Sequence, residues 1–257
     1  MIYHEIYGEG EPIVLLHGWA MHLGIWREFA QTLAQYYQVI AIDLPNHGRS
    51  DRLAVFDLNH IVNELTPLIP KQCCIIGWSL GATVAIQLAH SLPQQIKGVM
   101  IICGNPCFVA TEMWPGMRLA LLQQFGQRLI NNTSQTLSSF LALQVLGLEN
   151  AKTLTQQLKS ALGETEMPDI LSLQQGLALL QFTNLIPILT ELTAPIAVVL
   201  GQRDTLIPVE VGAAIQAIQP QTQLHIFPKA AHIPFISHSQ ELIQKIHLFM
   251  ESVRFVH

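Results

Sequence analysis

Apolar runs of strand length recur along the chain, and segments with the apolar spacing of a helix separate most of them. Alternating strands and helices predict a parallel sheet with crossover helices. In such sheets, ligand sites lie at the carboxyl ends of the strands. The predicted strands are Ile13–Leu16, Val39–Ile42, Cys73–Ile76, Val99–Cys103, Ile196–Leu200 and Leu224–Phe227. The clearest helical segments are Ile25–Ala34, Ile61–Leu68 and Ala82–His90.

The alternation stops after Cys107 and resumes at Pro195. The intervening segment has leucine-rich helical periodicity and no convincing strand. We therefore predict an α/β core formed by residues 1–107 and 193–257, with an all-helical cap insertion, residues 108–192, over the carboxyl end of the sheet. The helical spacing is clearest at Leu119, Leu122, Phe125 and Leu129.

The pentapeptide Gly77-Trp78-Ser79-Leu80-Gly81 lies between a predicted buried strand and a predicted helix. This context places Ser79 on a sharp strand-to-helix turn, which is the arrangement of a nucleophile elbow. Glycines two residues to either side fit such a turn, because the crossing of strand and helix leaves no room for side chains. By itself the pattern is weak, since glycine and serine are common in turns.

A serine hydroxyl needs a base to take its proton and an acid to orient that base. Asp204 follows the predicted strand Ile196–Leu200, and His232 follows the strand Leu224–Phe227. Either residue alone is more typical of an ordinary loop or of a structural position. The order Ser, Asp, His, however, is the one that this architecture uses. The sequence therefore predicts a triad of Ser79, His232 and Asp204.

Other histidines are weaker candidates for the base. His47 precedes the serine and has no acid in the expected place, so it ranks below His232. His22, His225 and His238 are interpreted as structural or exposed residues.

The negative charge that develops on a substrate oxygen needs two hydrogen-bond donors. The backbone N–H of Leu80 is one candidate, because it lies at the start of a helix. The other is the backbone N–H of Trp19, in the His17-Gly18-Trp19 turn after the first predicted strand. The alternative for that turn is a plain strand-to-helix connection.

Composition narrows the class of protein further. Half of the 257 residues are apolar and 12% are charged, which favours one large-core domain with an insertion. The formal charge of -5 comes without a basic run, so neither a nucleic-acid nor a membrane-surface partner is expected.

The N-terminal residues and the cysteines indicate where the protein is expected to be located and in which redox state. The first residues lack a signal-peptide pattern, and no apolar run approaches the ~18 residues that span a bilayer, so we predict a cytoplasmic protein. The cysteines are interpreted as reduced core residues, and Cys103 and Cys107 lack a nearby pair that would complete a zinc site. The four cysteines are Cys73, Cys74, Cys103 and Cys107.

Several segments together resemble the α/β-hydrolase superfamily over essentially the whole chain. They are Leu16-His17-Gly18-Trp19, the loop from Asp43 to Ser50, the Ser79 elbow, Gly201-Gln202-Arg203-Asp204 and Ala231-His232. Narrower motifs resemble the family of pimeloyl-[acyl-carrier protein] methyl ester esterases of biotin synthesis. These are Trp114-Pro115-Gly116, Phe140-Leu141-Ala142-Leu143-Gln144 and the segment from Phe227 to His238.

This resemblance implies a carboxylesterase that removes a methyl group from a pimeloyl ester on acyl carrier protein. Its mechanism needs no metal or organic cofactor, and we expect a monomer. The resemblance also implies substrate contacts at the oxyanion loop, the elbow, the cap and the base. By periodicity alone, the cap part of this set would be one amphipathic turn packed in the core. The implied substrate-binding residues are Trp19, Ser79, Leu80, Phe140, Leu141, Ala142, Leu143, Gln144 and His232.

The chain departs from the family pattern in two places. Asn46 stands where these hydrolases usually have glycine, and the cap is nearly balanced in charge instead of basic. We therefore expect carrier-protein docking to be weaker than the hydrolytic chemistry. The cap charges are Arg118, Arg128, Lys152 and Lys159 against Glu112, Glu149, Glu164, Glu166, Asp169 and Glu191.

Three alternatives stay open at this point. A broad-specificity short-chain carboxylesterase would use the same triad without a carrier-protein partner. A carbon-carbon bond hydrolase or a lyase would also keep the serine. A non-catalytic ligand receptor on this fold belongs to a different class, because a fold does not determine a function.

Overall fold

A computed structural model describes residues 1–254 of the protein. Its centre is a seven-stranded sheet with the strand order β1-β3-β2-β4-β5-β6-β7. β1 pairs with β3 in the antiparallel sense, and every other neighbouring pair is parallel. The strands are β1 His4–Tyr7, β2 Pro12–Leu16, β3 Gln38–Ile42, β4 Cys73–Trp78, β5 Ile96–Ile102, β6 Ile196–Gly201 and β7 Gln223–Phe227.

Helices cover both faces of this sheet, so the predicted α/β architecture is confirmed. Neighbouring residues of β2 belong to opposite cores: Val14 lies in one apolar cluster and Ile13 in the other. This alternation is what a strand buried on both faces requires. The helices outside the cap segment are α1 Arg27–Leu33, α2 Leu58–Leu65, α3 Leu80–Ser91, α9 Glu210–Ile218, α10 Pro234–Ser237 and α11 Ser239–Val253.

The segment between β5 and β6 contains five helices. Two isolated bridges, Cys107 with Asn184 and Val109 with Met117, lie in the same segment and were not predicted from periodicity. Single bridges leave no repeating pattern along the sequence, which explains the omission. These helices are α4 Leu119–Asn131, α5 Thr133–Leu143, α6 Ala151–Leu162, α7 Ile170–Phe182 and α8 Ile186–Glu191.

β1 was also missed by the sequence prediction. It lies at the edge of the sheet, mixes polar and apolar residues, and leaves Ile6 exposed. An edge strand needs no continuous apolar run, because one side and one edge face solvent. Within residues 1–254, no helix is both long and apolar enough to cross a bilayer.

The parallel register brings the carboxyl ends of the central strands to one edge. Leu16 of β2 pairs with Gly77 of β4, and Trp78 pairs with Ile102 of β5. The loops that follow these strands therefore start side by side. They carry the residues that the sequence singled out.

Candidate active site

Ser79 occupies the turn between β4 and α3 in a strained backbone conformation. Its φ is 55° and its ψ is -117°, in a region that side-chain-bearing residues rarely adopt. Such a conformation costs about 1–3 kcal/mol and persists where the surrounding structure imposes it. The serine is half-buried at the end of an otherwise buried strand, so its hydroxyl lies at the edge of the sheet.

Close backbone approach explains the two glycines of the elbow. A Cβ added at Gly77 would lie 2.3 Å from the carbonyl oxygen of Gly81. One added at Gly81 would lie 2.3 Å from the carbonyl oxygen of Leu16. The expectation that this turn leaves no room for side chains is confirmed.

His232 follows β7, and its ring is buried beside the acid. Its Nδ1 lies 2.7 Å from Oδ2 of Asp204, and both side chains are almost completely inaccessible. Its Nε2 is buried and has no hydrogen-bond partner among residues 1–254. With Nδ1 taken by the carboxylate, Nε2 is the nitrogen left to accept a proton.

The Asp204 carboxylate is held by backbone donors as well as by histidine. Its Oδ1 accepts hydrogen bonds from the N–H groups of Leu206, at 2.8 Å, and Ile207, at 3.1 Å. These bonds satisfy the oxygen that does not face His232. The carboxylate is therefore oriented by its own turn before the histidine contacts it.

The elbow and the histidine loop are joined by Trp78, the residue before the serine. Its indole Nε1 donates to the backbone carbonyl of His232 at 2.8 Å, and the two rings are 5.5 Å apart. The backbone N–H of His232 donates to the carbonyl of Gln144 at 3.1 Å. The structure therefore brings the three predicted triad residues to the same edge of the sheet.

Two backbone amides at this edge are available to an anion. Neither the N–H of Leu80, at the first position of α3, nor that of Trp19 donates to another group among the described residues. Gly18 lies so close to the elbow that an added Cβ would be 3.1 Å from Cβ of Ser79. The turn before Trp19 thus packs directly on the nucleophile's own residue.

His17 ties the Trp19 turn to the neighbouring loop. Its Nδ1 donates to the Gly18 carbonyl at 2.8 Å, and its Nε2 accepts from the N–H of Leu44 at 2.9 Å. Only the neutral ring with its proton on Nδ1 can make both bonds. Complete burial holds the pKa of His17 well below its usual value, which keeps the ring neutral.

The cap residues implied by the resemblance do not all reach the triad. Phe140 contacts Trp19 edge to face with centroids 5.0 Å apart, and Gln144 is buried next to His232 through its backbone. Leu141 packs in a core cluster, whereas Ala142 and Leu143 are exposed. Both polar side-chain atoms of Gln144 are buried without a partner in the described chain. An unpaired buried amide is costly, which favours a ligand-binding role for it.

Cys103 is a neighbour of the triad that the sequence analysis assigned only to the core. All four cysteines are free and buried, as predicted. The Cys103 sulfur, a carboxylate oxygen of Asp204 and a ring nitrogen of His232 lie within 4.8 Å of one another. Burial, followed by the Asp204 charge, raises the pKa of this thiol well above its usual value. The 2.7 Å contact between Asp204 and His232 is the spacing of a hydrogen bond, so we interpret the group as a hydrogen-bonded acid and histidine with an adjacent thiol.

Two of the candidate site residues are almost fully buried. Trp19 is 2% exposed and His232 is 1% exposed. A groove of about 740 Å³ lies between α1 and α6, and Arg27 and Lys229 are among the residues that line it. The triad residues do not line this groove.

His47, the weaker base candidate, is buried beside His17. Its Nδ1 donates to the Pro45 carbonyl at 2.9 Å, and the two histidine rings are 5.3 Å apart. Its neighbour Asn46 has a φ of 64°, a conformation that asparagine tolerates better than most residues, and its Oδ1 accepts from the N–H of Leu53. The substitution of asparagine for glycine therefore preserves this turn.

The burial of His47 predicts a loss of stability in acid. Burial lowers its pKa from about 6.5 to about 4, so the neutral ring's contribution is complete above about pH 6.5 and is lost as the pH falls toward 4. We expect His47→Phe to remove about 1–2 kcal/mol of the drop in unfolding free energy between about pH 7 and pH 5. Urea unfolding at both pH values measures this difference.

The control for this experiment is His60→Gln. His60 is an exposed histidine at the start of α2, so its replacement shows the effect of losing one histidine from the surface. Equal pH dependence in the wild-type protein and His47→Phe would contradict the assignment of a neutral buried ring.

The known proteins that are similar to this chain agree with the fold described above. The sequence profile of a family described as "alpha/beta hydrolase fold" matches residues 11–239. The pimeloyl-[acyl-carrier protein] methyl ester esterase of Methylococcus capsulatus is 36% identical over 251 residues, which cover 98% of this chain and 99% of the relative. The enzyme of the same name from Yersinia pseudotuberculosis is also 36% identical, over 97% of each chain.

Solved structures match the fold at lower sequence identity. An esterase from Exiguobacterium antarcticum superposes with a TM-score of 0.89 at 18% identity, covering 97% of this chain and 95% of the other. A bromoperoxidase from Bacillus anthracis gives 0.88 at 19% identity with the same coverage. At these identities the likeness concerns the fold alone.

Proposed function

Because the chain belongs to the α/β-hydrolase family, we propose that it is a serine carboxylesterase that hydrolyses the methyl ester of a pimeloyl chain carried on acyl carrier protein. The products are the pimeloyl carrier protein with a free carboxylate and methanol. The observation that carries the chemistry is the buried pair of Asp204 and His232, with Nε2 of the histidine left unbonded by residues 1–254. The ester itself is inferred from relatives that are 36% identical over nearly the whole chain.

In the first half of the reaction, Ser79 Oγ attacks the ester carbonyl while His232 Nε2 takes the hydroxyl proton. The backbone N–H groups of Leu80 and Trp19 hold the oxyanion, and each is worth about 3 kcal/mol in the barrier. Collapse of the tetrahedral intermediate breaks the bond to the methoxy oxygen. His232 returns its proton to that oxygen, and methanol leaves.

In the second half, His232 removes a proton from water, which attacks the acyl-enzyme through a second oxyanion held in the same place. The C–O bond to Ser79 then breaks, and the serine recovers its proton from His232. Asp204 stabilises the imidazolium in both halves and keeps the ring in the correct tautomer. His232 thus returns each proton that it takes: the one from Ser79 goes to the methoxy oxygen, and the one from water goes to Ser79.

The charges of the cap favour a carrier-protein partner more than their simple count indicates. Three of its six acidic residues bind residues outside the cap: Glu164 pairs with Arg27, Asp169 with Arg52 at 2.7 Å, and Glu191 with His90 at 2.9 Å. The four cap cations are exposed and form no ion pair within residues 1–254. Helices α4, α5 and α6 contain Arg128, Lys152 and Lys159 and no acidic residue. We infer that these helices present a positive surface to an acidic partner.

Charge reversal tests this partner. Changing Arg128, Lys152 and Lys159 together to Glu should lower kcat/KM for methyl pimeloyl carrier protein by about tenfold or more, mainly through KM. Hydrolysis of a short p-nitrophenyl ester should stay unchanged, because that substrate does not contact the helices. Steady-state kinetics with both substrates at low and high salt measures the difference.

The matched control reverses Lys71, Lys97 and Lys245, which lie outside the cap and change the net charge equally. A similar loss in both triple variants would mean that total charge, not a docking surface, sets the rate. If the wild-type protein hydrolyses p-nitrophenyl esters but not the carrier-protein ester, the broad-specificity carboxylesterase is the correct alternative. The division into core and cap, the monomeric state and the cytoplasmic location stay predictions.

A further inference from the structure

The indole of Trp19 joins the core to three cap helices. Its Nε1 donates to the carbonyl of Leu173 in α7 at 3.0 Å. Its ring contacts Phe125 of α4 and Phe140 of α5, with centroids 5.6 Å and 5.0 Å away, both edge to face. Trp19 itself belongs to the loop after β2, and its side chain is almost fully buried. A single core side chain is thus surrounded by the cap.

Gly176 lets this indole lie against the backbone of α7. A Cβ added at Gly176 would lie 2.6 Å from Cδ1 and 2.8 Å from Nε1 of Trp19. Those atoms belong to a rigid, flat ring that cannot bend away. Glycine inside a helix is less favourable than alanine, so its presence in the middle of α7 points to this packing requirement.

The backbone of Trp19 lies near Ser79 through its neighbour Gly18. His17 holds the Gly18 carbonyl from the core side, and Gly18 packs against Ser79. On the cap side, the indole of Trp19 donates a hydrogen bond to the carbonyl of Leu173. The Gly18 carbonyl, which also accepts from the N–H of Met21 at 3.2 Å, belongs to the same peptide group as the Trp19 N–H. The direction of that N–H therefore depends both on these core contacts and on where α7 places the indole.

We propose that α7 positions the oxyanion hole through the Trp19 indole, with Gly176 as the positioning residue that makes this contact possible. The inference rests on the proposed function, because it takes the Trp19 N–H as an oxyanion donor. It goes further in assigning a catalytic consequence to the docking of the cap. A displaced cap would misdirect one of the two donors, while Ser79 and Asp204, which lie outside the cap segment, stay in place.

The test is Gly176→Ala, assayed with p-nitrophenyl acetate, a small ester that needs no carrier protein. Loss of a whole oxyanion donor lowers kcat by about 10²–10³, so a misdirected donor should lower it by about 10–100-fold with little change in KM. The inhibition constant of an alkyl trifluoromethyl ketone, whose adduct with the serine carries an oxyanion, should rise by the same factor. A packing defect alone would lower kcat without raising the inhibition constant by the same factor.

Gly126→Ala is the matched control in the cap. Gly126 lies in α4, and its added Cβ would meet only Leu177, at 4.0 Å, which is ordinary contact. This variant should keep wild-type kinetics. In a Trp19→Leu background, Gly176→Ala should cost less than about threefold, because the ring that it contacts is gone.

If Gly176→Ala does not fold, Trp19→Phe tests the same link, because it removes the donor to Leu173 and keeps an aromatic ring. It should lower kcat about tenfold and weaken the ketone equally. Wild-type kinetics in the folded variant, beside an active Gly126→Ala protein, would overturn the positioning role alone. An inactive wild-type protein would instead overturn the proposed function.

Discussion

Replacing Ser79 with alanine should lower kcat for ester hydrolysis by about 10³-fold or more and leave a folded protein. The variant loses the only atom that can form the acyl-enzyme in the proposed reaction. It keeps the Cβ and hence the strained φ of 55°, so the elbow geometry should not relax. The remaining rate would come from the oxyanion donors and from binding.

Two measurements make this result specific. A fluorophosphonate probe should label the wild-type protein at Ser79 and fail to label the alanine variant. Ser91→Ala, at the exposed far end of the same helix, serves as the control and should react and turn over like the wild type. Turnover near the wild-type rate in folded Ser79→Ala would rule out the serine mechanism and would favour a different nucleophile.

Replacing Asp204 with asparagine should lower kcat by about 10⁴-fold with almost no change in structure. The amide has nearly the shape of the carboxylate, and its oxygen can keep the bonds from Leu206 and Ile207. Its NH₂ group would then face Nδ1 of His232 and donate to it. That contact stabilises the wrong tautomer, in which Nε2 carries the proton and cannot act as a base.

The test compares kcat at saturating ester with the free energy of unfolding from urea titrations. Asp57→Asn is the control, because Asp57 caps α2 at the surface and asparagine caps a helix equally well. Activity should collapse in Asp204→Asn and persist in Asp57→Asn. A loss of less than about tenfold in Asp204→Asn would contradict the assignment of the acid.

Cys103 lies next to Asp204 and therefore affects how the asparagine variant packs. The thiol is held neutral beside the carboxylate, and its sulfur also lies 3.6 Å from the carbonyl of Ala231. A neutral thiol can stay next to a neutral amide without an unpaired charge. The asparagine variant should therefore remain well packed, which makes the loss of activity interpretable.

The proposed triad could be inferred from the sequence because each member is locally marked. Ser79 has its glycines on either side, and Asp204 and His232 each follow an apolar run of strand length. In a parallel sheet, the carboxyl ends of strands share one edge, so local position along the chain translates into proximity in space. The chain order of the three residues then supplied the rest.

The contacts of Cys103 and Gly176 could not be predicted in the same way, and Gln144 was singled out only by the family resemblance. Each has an ordinary local context: a cysteine after a strand, a glutamine after a helix, a glycine inside a helix. Their relevance comes from contacts with residues far away in the chain, such as Gly176 with Trp19. Hydrophobic periodicity carries no information about such pairs.

The cap charges show the same limit in electrostatics. A count over residues 108–192 suggested near balance, whereas the ion pairs of Glu164 and Asp169 with Arg27 and Arg52 assign acidic charge to the junction with the core. Formal charge adds up along a sequence, but a binding partner meets only the charges that remain exposed and unpaired.

The sequence by itself determined the α/β architecture, the nucleophile elbow and the identities of the proposed base and acid. It could do so because strand period, turn chemistry and motif order are properties of neighbouring residues. Only the tertiary structure decided which nitrogen of His232 has no partner among residues 1–254, which cap residues approach the site, and how α7 contacts Trp19. These depend on distances between segments that are remote in the chain, and folding sets those distances through the packing of the whole core.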